Sequence, residues 1–305
     1  SLKEKDMELE GGEFIEFDKL LIATGSAPGL PAANITDSAN ICSVRTIEDL
    51  VELKKISSIS SSAAIIGGGV LGLEIADSLM TLGLNISIIE SGNRIAPLFL
   101  DKQASEIIED ALIEKGIKIY KGAKVTEINS QGVLLEKGRE ISADFVVMTV
   151  GICPCVSLAN KIGAKVKRAI VVDDYMQTSC EDVYAAGDCC EHKDIIYGLW
   201  GVAKEQGEIA ALNMTGKKTL YKGSVFAVKS SVAGIEMGCL GNLKKVKSSD
   251  KEICVCKGNK YAKMFIRGQE VIAVVVVGNI EKLFEFRNYI NKNKDISGKE
   301  EQLLK

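Results

Sequence analysis

A fold in which helices alternate with parallel strands is what the 305-residue sequence predicts, and three observations predict it. Residues 63–91, AAIIGGGVLGLEIADSLMTLGLNISIIES, pass from an apolar strand through a glycine turn into a helix and out into a second apolar strand. Residues 101–151 continue with an amphipathic helix and short strands, the alternation typical of α/β chains. On either side, FDKLLIATG and IVVDDYMQTSCEDVYAAGD each carry an apolar strand into a turn of small residues.

The central stretch is the most informative. Ala63 to Ile66 is predicted as a buried strand, Gly67-Gly68-Gly69 as a tight turn, and Val70 to Leu82 as a helix stopped by Gly83. Gly67, Gly69 and Gly72 match G-x-G-x-x-G. The first glycine makes the turn, the second lets a pyrophosphate approach the backbone, and the third lets helix and strand pack closely. The pyrophosphate would rest on the free N–H groups at the start of the helix. The next strand, NISIIE, ends at Glu90, where an acid can accept hydrogen bonds from the ribose hydroxyls of an adenosine. A 2′-phosphate about 4 Å from Glu90 would meet repulsion of about 1 to 4 kcal/mol. Only Arg94 stands near in sequence to offset it, so NADH is expected over NADPH.

A helix from Asp101 to Lys115 follows, with Ala104, Ile107, Ile108, Ala111 and Leu112 on one face and Gly116 as its stop. The strands KIYKG, VTEINS, GVLLEKG and FVVMTVG come next, with turns at Gly122, Gly132 and Gly138. Residues 47–150 therefore make one nucleotide-binding domain.

Composition narrows the function. Apolar residues make up 46% and charged residues 26%, with a net charge of −3, the balance of a soluble globular protein without a polyanion-binding surface. The longest apolar run, VIAVVVV at 271–277, falls well short of the roughly 20 residues that span a bilayer. A cytoplasmic protein with neither nucleic acid nor membrane as partner is expected. The nine cysteines include no C-x-x-C, which argues against a zinc ribbon, an iron–sulfur cluster and a thioredoxin-type dithiol. They are expected to be reduced thiols acting as small hydrophobes, with Cys189-Cys190 packing and Cys254 and Cys256 alternating as core positions of a strand. One histidine, His192, removes most of the material for metal or Ser-His-Asp chemistry, and no catalytic residue is assigned. The lysine-rich end from residue 291 is expected to be solvated and partly helical.

The order of the flanking motifs adds a resemblance. Thr24 and Gly25 in ATG, the glycine set with Glu90, Gly151 after a second apolar strand, and Gly187 and Asp188 in YAAGD together resemble the pyridine nucleotide-disulfide oxidoreductase superfamily, over about residues 15–215. The resemblance implies a two-nucleotide-binding, Rossmann-like flavoprotein with a small C-terminal α/β domain. Residues 1–46 and 151–225 would be the FAD-binding domain, 47–150 the inserted NAD-binding domain, and 226–305 the C-terminal domain. It implies that Asp188 hydrogen-bonds the flavin ribityl chain and that Glu74 lies near the nicotinamide. It also implies that the helix entered through Gly198 to Gly201 points its positive end at the flavin. Ala203, Gly207, Ala210 and Ala211 would form the packing face of that helix. Trp200 would either shield the flavin or anchor the helix in the core.

The helix of residues 197–218, followed by a separate C-terminal unit of about 80 residues that begins SVFAVKSSVAGIEMGCLGNL, resembles the NADH:rubredoxin reductase branch and the flavoprotein portion of NAD(P)H nitrite reductases. The implied cofactors are FAD and NADH. Hydride would pass from nicotinamide to flavin, and electrons onward to a small carrier protein such as rubredoxin or to a nitrite reductase partner. An NADH oxidase or peroxidase of the same superfamily and a flavin-free NADH-binding module are the alternatives. The family's first G-x-G-x-x-G unit has no counterpart in SLKEKDMELEGGEFIEFDKL. The expectation is therefore a chain lacking about one βαβ unit, about 30 residues.

Overall fold

The computed structural model describes residues 5–36, 39–258, 260–278 and 280–291. The lysine-rich end from residue 292 onward lies outside the described residues. The helices are α1 (Ile47–Ser58), α2 (Val70–Thr81), α3 (Lys102–Glu114), α4 (Ser157–Lys161), α5 (Trp200–Met214) and α6 (Glu281–Asn291). Two compact units form, Ser1–Ala27 with Ile152–Ser224, and Pro28–Gly151 with Val225–Lys305.

The larger unit is built on a five-stranded parallel sheet in the order Ile41–Ser43, Phe145–Met148, Ser62–Ile66, Asn85–Glu90, Lys118–Lys121. Its central strands are continuous apolar runs because helices and further strands cover both faces: Ala63, Ile65, Ile86 and Ile88 pack to one side, Ala64, Ile66 and Ile89 to the other. Helix α1 begins with a capping box in which Thr46 and Asp49 satisfy each other's backbone N–H groups. Asp101 lies just before α3 and caps it by accepting from Ala104 N at 3.3 Å. Gly83 and Gly116 end α2 and α3 at φ of 92° and 94°, where a side chain would be strained. The stretch expected as one strand, GVLLEKG, stops at Leu135, and Glu136–Gly138 turn back into the strand Glu140–Ser142. A four-stranded sheet results, with Asn34–Ile35 at its edge.

The C-terminal residues form an antiparallel sheet in the order Ala227–Val232, Ile235–Gly241, Glu270–Val277, Lys260–Arg267, Lys251–Lys257. The VIAVVVV run is its central strand. One face contributes Val275, Val277, Phe265 and Tyr261 to the same core as Leu73 and Ala76 of α2 and Ile108 of α3. The other face packs Val274, Val276 and Met264 on Leu283 and Phe286 of α6. This shared core is why residues 225–305 fall in one compact unit with the nucleotide-binding sheet. Polar bonds complete the seam: Tyr261 donates to Asp101 Oδ2 at 2.6 Å, and Ala233 N to Asp77 Oδ2 at 3.0 Å.

Two readings of the sequence are corrected here. Cys254 and Cys256 are exposed, because their strand is the sheet's edge and its packed side is taken by Ile253 and Val255. In the smaller unit, α5 buries Val202, Gln206, Ala210 and Asn213, so of the expected small-residue face only Ala210 is fully buried, while Ala203 and Gly207 are half-buried and Ala211 is exposed. Polar side chains can occupy that face because each has partners. Asn213 donates to Tyr175 O and Thr219 O and accepts from Thr219 N. The core of this unit gathers Ile22, Val183 and Ala185 of the paired strands Leu20–Ile22 and Val183–Ala185 with Ile170, Cys190, Ala210 and Tyr221. Among the described residues no helix is long and apolar enough to cross a membrane.

Asp144 ties the start of the Ser62–Ile66 strand to the start of its neighbour, accepting from Ser61 N at 2.8 Å, Ser62 N at 2.9 Å and Ser62 Oγ at 3.0 Å. The Ser61 N–H and the Ser62 hydroxyl hold its carboxyl below the ordinary carboxylate range. A carboxyl depressed in the fold stabilises above its unfolded value, near 3.9, and loses that contribution as pH falls through the folded value. Denaturant midpoints of the wild type and Asp144→Ala should therefore differ at pH 7 and converge as the carboxyl protonates. A gap unchanged at low pH would show that the carboxylate contributes nothing.

Candidate functional site

In the larger unit the glycine turn leaves the strand end at Gly67, whose φ is 110° and whose N–H donates to Ile89 O at 2.9 Å. The first turn of α2 lies directly over it: a Cβ on Gly72 would stand 2.1 Å from Gly67 O and 2.7 Å from Thr149 Oγ1. Thr149 Oγ1 in turn lies 2.9 Å from Gly67 O. Gly67 and Gly72 are thus required by contacts within the protein.

Gly69 is different. It precedes α2 as its N-cap, makes no side-chain cap bond, and its Cβ would meet nothing within 4 Å. No acid occupies the first turn of α2. The N–H groups there lack side-chain caps on a side with room beside it, the arrangement that favours an anion.

Glu90, at the tip of the adjoining strand, is part of the same turn. Its Oε2 accepts from Gly68 N at 2.8 Å, and its Oε1 from Gly92 N at 2.6 Å and Ser91 Oγ at 3.4 Å. These use three of the carboxylate's roughly four lone-pair positions and leave one for a ligand hydroxyl. Arg94 Nη2 donates to Pro97 O at 3.2 Å, while its Nε is buried without a hydrogen-bond partner. A buried donor left unpaired costs about 1 to 3 kcal/mol. The residues present fit a dinucleotide at the open Gly69, where the uncapped N–H groups at the start of α2 have room beside them.

Glu74 sits in the second turn of α2. Its Oε1 accepts from Ser230 Oγ at 2.5 Å across the seam with the C-terminal sheet. Gly151 has φ of 103° and accepts from Gly29 N at 2.9 Å.

The smaller unit gathers the other predicted residues. Thr24 Oγ1 donates to Cys155 O at 2.6 Å, and Cys155 N to Gly25 O at 2.9 Å. Asp188 Oδ2 accepts from Ser26 Oγ at 3.0 Å. Gly187, at φ of 85°, donates its N–H to Gln206 Oε1 at 2.9 Å. Trp200 is the first residue of α5 and 81% exposed, which overturns the reading of it as a buried anchor. The inward face of α5 is set two and six residues later by Val202 and Gln206. The start of α5 has no side-chain cap and no acid in its first turn.

The vicinal thiols are both buried donors. Cys189 Sγ lies 3.3 Å from Ala186 O, Cys190 Sγ lies 3.4 Å from Gln206 Oε1, and burial pushes the Cys190 thiol well above its ordinary value. His192 is buried and bonds Asp174 Oδ1 at 2.7 Å. Among the described residues no group of three or more His, Cys, Asp or Glu could hold a metal ion. Three polar side chains have a supporting role that the motifs do not show: Ser26, Thr149 and Gln206. Ser26 and Thr149 lie beside their motifs, directly after ATG and two residues before Gly151. Gln206 carries no such signal.

A glycine turn clasped from within, open where a phosphate would approach and tipped by an acid, defines a dinucleotide-binding protein. The pyridine nucleotide-disulphide oxidoreductase family model matches residues 1–207, and the chain belongs to this family. It is 33% identical over 292 residues to the nitrite reductase [NAD(P)H] of Bacillus subtilis (strain 168), covering 92% of this chain and 36% of that protein. It is 29% identical over 286 residues to the NADH-rubredoxin oxidoreductase of Clostridium acetobutylicum, covering 94% of this chain and 72% of that protein. The structure of an NAD-dependent persulfide reductase from A. fulgidus superposes with a TM-score of 0.88 at 26% identity, covering 96% of this chain and 61% of that one. The chain thus spans little more than a third of the length of the nitrite reductase it matches.

The two kinds of glycine separate by experiment. Gly72→Ala is expected to cost about 1 to 3 kcal/mol or more, read as a fall in Tm of several degrees. Gly69→Ala should keep the wild-type Tm and weaken NADH binding about tenfold, measured by nicotinamide fluorescence. Equal losses of stability in both would remove the distinction.

Proposed function

We propose that this chain is the nucleotide-binding part of an FAD-dependent NADH oxidoreductase that delivers electrons to a separate acceptor. The glycine turn, closed by Thr149 and Glu90 and open at Gly69, is the observation that carries the reading. In this reading Gly67, Gly69 and Gly72 admit the NADH pyrophosphate, Glu90 accepts from its adenosine ribose, and Glu74 belongs to the nicotinamide end. Thr24, Gly25, Gly187, Asp188 and Trp200 serve FAD, with Asp188 as the ribityl acceptor, and Gly151 is a cofactor-binding position after the second apolar strand. The residues of the Gly187 turn fit such a role, since Ser26 and Gln206 hold it from the protein side.

When bound, flavin supplies the hydride acceptor and the electron store, so no protein acid or base is needed for the transfer itself. The chain's own residues bind, orient and exclude water. The acceptor proposed is a small electron-carrier protein such as rubredoxin, or a nitrite reductase partner, in line with the names of the relatives. The order of the motifs supports 1–46 with 151–225 as the FAD-binding part, 47–150 as the NAD-binding part and 226–305 as the C-terminal part, with the strands Asn34–Ile35 and Ile41–Ser43 pairing into the sheets of the NAD-binding part. A cytoplasmic location accords with the composition. Neither nucleic acid nor membrane is among the proposed partners.

The visible absorption spectrum, taken before and after anaerobic addition of NADH, tests the reading. Flavin bands that bleach are expected, and a protein that stays colourless after soaking with FAD yet binds NADH would be a flavin-free module instead. Cofactor choice is a separate test. Wild type should bind NADH more tightly than NADPH, and Glu90→Ala should weaken NADH binding about tenfold, the size of a lost charge-assisted hydrogen bond, and narrow the difference. A wild type that prefers NADPH would overturn the role given to Glu90.

A further inference from the structure

Gln206 is 1% exposed and lies on the inner face of α5. Its Oε1 accepts from Gly187 N at 2.9 Å and from the Cys190 thiol at 3.4 Å, and its Nε2 donates to Tyr221 Oη at 3.3 Å. The direction of each bond follows from the number of hydrogens available. Ser224 Oγ lies 2.5 Å from Glu205 Oε2 and 2.7 Å from Tyr221 Oη. The serine hydroxyl gives its single hydrogen to the carboxylate, so it accepts from Tyr221. Tyr221, having given its own hydrogen, can only accept from Gln206. The Gln206 amide therefore has one orientation: its NH₂ faces the tyrosine and its oxygen faces Gly187. Flipping it would set the NH₂ against the Gly187 N–H and leave buried donors facing each other. The buried Cys190 thiol, held in its protonated form, adds a second donor to the same oxygen.

We propose that Gln206 is a positioning residue for the Gly187–Asp188 turn, with its amide oriented from the exposed Glu205 through Ser224 and Tyr221. In this arrangement a surface carboxylate sets the direction of a buried relay. The relay ends on the backbone N–H adjoining Asp188, whose carboxylate is held separately by Ser26. This rests on the reading of Asp188 as the flavin-facing acid, but the relay itself does not.

Tyr221→Phe tests it, because the ring keeps its place against His192, with centroids 4.8 Å apart, and only the hydroxyl is lost. In the full chain, amide exchange at Gly187 should quicken about 3- to 10-fold, the size of one weakened hydrogen bond. The amide of Ala210, in the same helix, should keep its rate. Gln206→Met should produce a larger change at Gly187, and in both variants the Kd for added FAD should rise in step. Unchanged exchange at Gly187 in both variants overturns the positioning role. Faster exchange in a protein that takes up no FAD establishes the relay and overturns the flavin reading alone.

Discussion

One of the tightest approaches in the larger unit is between backbone and backbone. The first turn of α2 rests on the carbonyl of Gly67 with no room for a methyl group at Gly72, and Thr149 reaches across from the neighbouring strand to the same carbonyl. Helix, turn and two strands meet at one point. That contact sets where the start of α2 lies, and with it the uncapped N–H groups and the open side at Gly69. Glu90 extends the clasp by accepting from Gly68 and Gly92. The acid is therefore structural and still keeps an acceptor position free, because a carboxylate has more acceptor positions than the turn consumes.

The C-terminal sheet depends on the same helix. Its inner face shares a hydrophobic core with α2 and α3, and polar side chains of α2 mark the seam, with Glu74 bound by Ser230 and Asp77 by the Ala233 N–H. A position that motif reading assigns to the nicotinamide end is thus also a contact with the C-terminal sheet. Helix α2 leaves its N-terminus uncapped and packs its flank on the sheet.

The smaller unit uses buried polarity where the sequence suggested small residues. Gln206 and Asn213 occupy the inner face of α5 because the backbone around them needs donors and acceptors, and the unit would otherwise bury unpaired groups. The two adjacent thiols of Cys189 and Cys190 serve the same need as weak donors to Ala186 O and Gln206 Oε1. With the thiols spent on hydrogen bonds and His192 on Asp174, these side chains build and orient the turn.

The sequence by itself determined the alternating fold, the glycine turn and the acid at its rim, because these depend on local requirements: backbone torsion, helix stops and the spacing of one βαβ unit. It also located Gly187 and Asp188, which a strand delivers into a glycine turn. It did not reveal Gln206, Thr149 or Ser26 as supports, since their partners lie 19, 82 and 162 residues away and a hydrogen bond leaves no periodic trace. Nor did it place Trp200 at the surface, Cys254 and Cys256 on an open edge, or the C-terminal sheet in one core with α2. Burial of a side chain depends on what covers it, and only the tertiary structure decides which strand is an edge and which helix face turns inward.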